Sequence, residues 1–207
     1  YSYDDHGIAV VNDRHVAIHG AHLRVRTLGV DGAVLSNRDT TLDVPADSTA
    51  RVLALSDPAG VSGAYFADLR LTSSDGKPLS ANFYWLSTHP DVLADTSTWY
   101  MTPVKAYADY TALKGMPTGS VKAAAKFAGS SARVTLTNPG KTLAFFVRLQ
   151  VVGSDGEEAL PVLWEDNYVT LLPGETRVIT ARWAAKDVRG TPRLVTSGWN
   201  VPRKKNS

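Results

Sequence analysis

The chain predicts an all-β fold built as two tandem antiparallel β-sandwiches. Three observations predict it. Short apolar runs alternate with polar residues at a period of two. Turn residues separate these runs at sandwich spacing. Charge and aromatic residues also divide the chain into two unlike parts. At 207 residues, it is long for one sandwich and natural for two domains of about 100 residues each.

In the first part, candidate strands lie at residues 8–12, 22–30, 40–44, 50–55 and 80–86. In the clearest run, Ala67, Leu69 and Leu71 alternate with Asp68, Arg70 and Thr72. The apolar set is expected inward and the polar set towards water. Val30-Asp31-Gly32 and Ser74-Asp75-Gly76 read as tight turns, because Gly tolerates positive φ and Asp bonds its own backbone. The stretch 87–98 is polar and contains Pro90, which suits a connector. The division is expected near there, giving domains 1–90 and 91–207.

In the second part, Ala132, Val134 and Leu136 form one inward set. Phe145, Val147, Leu149 and Val151 form another, and Ile179, Ala181 and Trp183 a third. Residues 168–172 read as a further strand. Residues 121–127 have helical propensity from Ala and Lys, yet they alternate, and the all-β context favours strand. A helical turn is expected at 107–113. Ser154-Asp155-Gly156 and Asn138-Pro139-Gly140 are turns. Leu172-Pro173-Gly174-Glu175 suits a type II turn, with Pro presetting φ and Gly supplying positive φ. The tail from Pro202 is polar and expected to fray.

The charge split is marked. Residues 1–95 carry 7 Lys and Arg against 12 Asp and Glu, a net of −5. Residues 96–207 carry 15 against 8, a net of +7. All five His precede residue 90, and four of the five Trp follow it. With no Cys, disulfides, thiolate metal sites and a Cys nucleophile are excluded. No run of about 18 apolar residues is present, so no membrane-spanning helix is expected. The chain opens on Tyr1-Ser2-Tyr3 with neither Met nor signal peptide, as expected of a processed product or a fragment.

Signatures of chemistry are sparse. His15-x3-His19-x2-His22 spaces three imidazoles as zinc ligands could be, but the segment alternates like strands around Gly20 and reads as surface histidines near a turn. No metal or cofactor is implied. There is no nucleophile elbow, P-loop or dinucleotide fingerprint. Only four of the 20 acids are Glu. Glu157, Glu158 and Glu175 follow turns and read as solvated charge. Glu165-Asp166, between Trp164 and Tyr168, is the one aromatic–carboxylate cluster. It reads either as a sugar site or as a structured loop in which Asp166 or Asn167 bonds backbone. Aromatic faces can stack on sugar rings. The candidate carbohydrate-binding residues are Trp99, Tyr100, Trp164, Glu165, Asp166 and Tyr168, with Trp99, Tyr100 and Trp164 as a surface platform. Lys and Arg are scattered along the second part, so nucleic acid is not expected as a partner.

Three blocks carry a family resemblance: Tyr1-Ser2-Tyr3-Asp4-Asp5, Asn82-Phe83-Tyr84-Trp85-Leu86-Ser87, and the stretch from Leu160 to Glu175 containing Leu163-Trp164-Glu165-Asp166-Asn167-Tyr168. In order and spacing they resemble the C-terminal portion of glycoside hydrolase family 2 enzymes of the exo-β-D-glucosaminidase and β-mannosidase type. The resemblance implies two immunoglobulin-like domains that follow a catalytic (β/α)₈ barrel in a large secreted or periplasmic enzyme. The family is retaining, with both catalytic Glu residues on the barrel, so no catalytic residue carries over to this chain. The implied partners are the barrel and N-terminal domains of the same enzyme, with oligosaccharide as a further candidate. Two other roles stay open: a carbohydrate-binding module, and a cell-surface structural tandem without a sugar role.

Overall fold

The structure, a computed structural model, describes residues 1–94 and 100–206. The chain forms two compact units, Tyr1–Gly115 and Met116–Ser207. Residues 100–115 belong to the first unit for local reasons. Val104–Ala106 pairs with Val92–Leu93. Ser87 Oγ donates to Asp109 O at 2.8 Å, and Asp109 N to His89 O at 3.1 Å.

In the first unit the strands are β1 (Gly7–Asn12), β2 (Ile18–Leu28), β3 (Val34–Val44), β4 (Ser48–Ala54), β5 (Ala64–Thr72), β6 (Pro78–Ser87), β7 (Val92–Leu93) and β8 (Val104–Ala106). A four-stranded sheet runs β3-β2-β5-β6, and β1 pairs with β4. Both close on one core. Ile8 and Val10 come from β1, Leu23 and Val25 from β2, and Tyr65, Ala67, Leu69 and Leu71 from β5. Burying such a Leu or Ile contributes about 1.5–3 kcal/mol. The helical turn is 3₁₀ and lies at Thr111–Gly115, later than expected. Asp109 Oδ1 accepts from Thr111 N at 2.9 Å and from Thr111 Oγ1 at 2.6 Å, which fixes its start.

In the second unit the strands are β9 (Lys122–Ala128), β10 (Ser131–Thr137), β11 (Ala144–Val152), β12 (Val162–Trp164), β13 (Val169–Leu171), β14 (Thr176–Trp183), β15 (Arg193–Ser197) and β16 (Lys204–Asn206). Two four-stranded sheets, β12-β14-β10-β9 and β13-β11-β15-β16, enclose the core. Of the three expected inward sets, Ala132, Val134 and Leu136, then Val147, Leu149 and Val151, then Ile179, Ala181 and Trp183 face it. Phe145 is buried outside this core, because the irregularity between Ala144 and Val147, with Phe146 at φ 55°, puts Ala144 there instead. The segment expected at 121–127 is strand, as its alternation predicts, and runs over Lys122–Ala128. The Leu172–Glu175 turn closes with Glu175 N donating to Leu172 O at 3.0 Å, and Gly174 takes φ 76°.

A buried Asn forms the same corner in each unit. Asn138 is fully buried. Its Nδ2 donates to Thr142 O at 2.8 Å and Leu171 O at 3.0 Å, and its Oδ1 accepts from Gly140 N at 3.0 Å. Asn12 Nδ2 donates to Val16 O at 2.9 Å and Val44 O at 3.4 Å, and its Oδ1 accepts from Arg14 N at 3.2 Å.

Three expectations are corrected. Asp68, assigned to water by alternation, is fully buried, because β5 is a central strand covered on both faces. Gln150, also on a polar set, is buried and donates to Glu158 Oε2 at 2.7 Å. The tail does not fray before Asn206. Lys204–Asn206 pairs with β15, and Asn206 Nδ2 donates to Thr196 Oγ1 at 3.0 Å.

Candidate functional site

The segment from Trp164 to Tyr168 crosses from one sheet of the second unit to the other. It leaves β12, whose Leu163 pairs with Arg182 of β14, and enters β13. Trp164 is half-buried and packs on the core, while Leu163 is 59% exposed on the outer face. Glu165 Oε2 accepts from Thr180 N at 3.2 Å and Thr180 Oγ1 at 2.9 Å. Asp166 Oδ2 pairs with Arg177 Nη2 at 2.7 Å. Asn167 holds β11 with both ends of its amide. Oδ1 accepts from Leu149 N at 2.7 Å, and Nδ2 donates to Leu149 O at 3.0 Å. Asn167 thus bonds backbone as the structured-loop reading expects. Tyr168 has φ 55° and lies against Phe146, with ring centroids 4.9 Å apart.

The structure therefore brings two of the six candidate residues into one depression. A hollow of about 380 Å³ is lined by Leu163, Trp164, Glu165 and Arg182, with Ser131 and Thr180 beside them. Asp166 and Tyr168 are committed to Arg177 and Phe146. Tyr100 is exposed in the first unit. Trp99 lies outside the described residues.

Two Glu residues read as solvated are structural. Arg148 Nη2 donates to both oxygens of Glu158, at 2.9 and 2.8 Å. Glu175 Oε2 accepts from Leu172 N at 2.9 Å, tightening its own turn. His15, His19 and His22 are exposed. His19 Nδ1 lies 3.5 Å from Asp43, and His22 Nδ1 bonds Thr41 Oγ1 at 3.1 Å. No group of three His, Asp or Glu converges among the described residues.

Two features of the first unit escaped sequence reasoning. The Asp68 carboxylate is gripped by Arg26, at 2.6 and 3.1 Å, and by Arg70 at 2.6 Å. The available signal was Arg26 and Arg70 on neighbouring polar sets. A cleft of about 280 Å³ is lined by Tyr1, Tyr3, Asp4, His6, Asp91 and Tyr110. Tyr1 Oη and His6 Nδ1 share a 2.6 Å hydrogen bond. Burial, then the charge of Asp57, pushes the Tyr1 phenol up to about 12.

Comparison with known proteins accounts for both units. Residues 4–89 match the family described as mannosidase Ig/CBM-like domain, and residues 99–201 match the exo-beta-D-glucosaminidase Ig-fold domain. An exo-beta-D-glucosaminidase of Streptomyces avermitilis is 41% identical over 97% of this chain and 24% of its own length. One from Amycolatopsis orientalis is 39% identical over 97% of this chain and 20% of its own. The chain belongs with the immunoglobulin-like domains of the exo-β-D-glucosaminidase family. It spans a fifth to a quarter of the length of these relatives.

Solved structures agree with these immunoglobulin-like domains. The crystal structure of Amycolatopsis orientalis exo-chitosanase CsxA superposes with a TM-score of 0.88 at 34% identity, covering 100% of this chain and 26% of that one. A β-D-mannosidase from Dictyoglomus thermophilum, 16% identical with a TM-score of 0.60, shares the fold. The two immunoglobulin-like domains here hold their strands with the Asn corners, the Asn167 bridge and the Asp68 cluster, and these polar groups serve the scaffold.

Proposed function

We propose that this chain is the non-catalytic C-terminal part of a retaining, exo-acting glycosidase that releases β-linked glucosamine or mannose from glycan chain ends. In this reading the two sandwiches brace the catalytic barrel and line the rim of its cleft, and the enzyme is secreted or periplasmic. One observation carries it: relatives named exo-beta-D-glucosaminidase cover 97% of this chain with a quarter or less of their own length. The site geometry supports it, since Glu158, Glu165, Asp166 and Glu175 are each held by a structural partner. A retaining mechanism needs two carboxyls about 5–5.5 Å apart and free to act.

The test has two arms. The isolated chain is assayed on aryl β-glucosaminides and aryl β-mannosides, and no turnover is expected. The reading frame that encodes it is then expressed with and without these residues. A barrel that loses solubility or thermal stability on the deletion supports bracing. Turnover by the isolated chain, lost in Glu165→Gln, overturns the proposal, as does a reading frame that encodes no barrel.

A further inference from the structure

The outer face of the β12-β14-β10-β9 sheet holds a charge arrangement that works against folding. Lys126 of β9 stands directly opposite Arg133 of β10. Arg182 of β14 is paired with Ser131 and so lies diagonal to Arg133. Lys122 sits further along β9, opposite Thr137. All four cations are exposed. Opposed side chains of an antiparallel pair have Cβ atoms about 5 Å apart, and like charges placed there are destabilising. The ion pairs of this unit among the described residues are Arg148–Glu158, Arg177–Asp166 and Arg189–Asp155, and the four cations take part in none of them. Lys and Arg that look scattered along the sequence are gathered by strand pairing into one field.

The hollow beside this field has a different chemistry. Glu165, pinned through Oε2 by Thr180, keeps Oε1 to accept a hydroxyl hydrogen, and Ser131 and Arg182 stand on its rim. The combination is a cation row for carboxylates next to polar groups for neutral hydroxyls. We propose that this face binds an acidic polysaccharide. Lys126, Arg133 and Arg182 take its carboxylates, and the Glu165–Thr180 hollow takes ring hydroxyls. Nucleic acid fits less well, because the outward positions of β9, β10 and β14 carry Lys, Arg, Ala, Ser, Thr and Val and no aromatic ring on which successive bases could stack, and the one ring at the hollow, Trp164, is half-buried against the core. A polycationic glucosamine chain is repelled by the same row. The proposal goes beyond the assigned family role and stands without it.

The test is affinity electrophoresis of this chain in gels containing polygalacturonate, neutral dextran, cationic chitosan oligomers or single-stranded DNA, at matched ionic strength. Retardation by polygalacturonate alone, weakening as salt is raised, is expected. The double variant Lys126→Ala/Arg133→Ala loses about tenfold in affinity. Circular dichroism checks its fold, and Lys122→Ala provides a second, milder variant expected to weaken retention in the same direction. Absence of retardation, equal retardation by DNA, or unchanged binding in a folded double variant overturns the proposal.

Discussion

Asn12 and Asn138 occupy equivalent corners of the two units. Each sends its amide Nδ2 to the carbonyl four residues on and to the last residue of a later strand, and each receives the backbone N–H two residues on. A buried side chain that saturates three backbone groups is costly to replace, since a net hydrogen bond contributes about 0.5–1.5 kcal/mol and an orphaned buried group costs more. Asn138→Ala is expected to lower unfolding free energy by about 2–4 kcal/mol. Asn138→Asp, nearly identical in shape, should cost a comparable amount, because a carboxylate cannot donate to Thr142 O and Leu171 O. Urea unfolding measures both. An Asp variant as stable as the parent excludes this account of the corner.

Much of the fold is legible in the sequence, and the illegible parts have physical reasons. Period-two alternation finds β10 and β14 because each is a half-buried strand with one face on the core. It misplaces Asp68 because β5 is covered on both faces, and a period of two carries no sign of a second cover. It truncates β3, whose Val34 to Asp39 are all exposed at a sheet edge, where no alternation is required. It misses β16 because backbone hydrogen bonds to β15 are indifferent to the side chains of Lys204 and Lys205. At the candidate site, Trp164 and Glu165 are readable as neighbours. The cation row is not, since Lys126, Arg133 and Arg182 meet only through strand register.

The Asp68 cluster yields a graded prediction. Arg26 makes two contacts to Oδ2, and Arg70 makes one to Oδ1. Both arginines keep part of their side chains in water, 24% and 29%, whereas Asp68 has none. Removing a partner from a buried charge is strongly destabilising, about 3–5 kcal/mol. Arg26→Met is therefore expected to cost about 3 kcal/mol and Arg70→Met less, as judged by urea midpoints. Asp68→Leu should cost less than Arg26→Met, because the two arginines it leaves behind can reach water. The reverse order would show that the carboxylate is not the vulnerable member.

Acid should weaken the first unit through Asp5. Its hydrogen bond from Arg51, then that from Gly7 N, lowers its pKa from 3.8 to about 2. Asp39, with Arg24, and Asp43, with Gly20 N, are lowered in the same direction. A depressed folded-state pKa adds stability that is present above the unfolded value and is lost as pH falls through the folded one. The loss is therefore expected between about pH 4 and pH 2. Asp5→Asn should flatten the dependence of the urea midpoint on pH in that window and leave neutral pH little changed relative to other surface variants. An unaltered slope in Asp5→Asn would assign the acid response to other carboxylates.

The opposition of Lys126 and Arg133 separates stability from binding. Lys126→Glu converts a repulsive cross-strand pair into an attractive one without touching the core, since the side chain is exposed. Cross-strand charge pairs contribute roughly 0.2–1 kcal/mol, so the variant is expected to unfold at slightly higher urea. The carboxylate placed opposite Arg133 also removes one cation from the row and neutralises a second, so retention by polygalacturonate should be lost in that more stable protein. If Lys126 has no part in binding, the variant is stabilised all the same and its retention by polygalacturonate is unchanged. Measuring both properties on one purified variant decides between them, because no general damage to the fold can raise stability while abolishing binding.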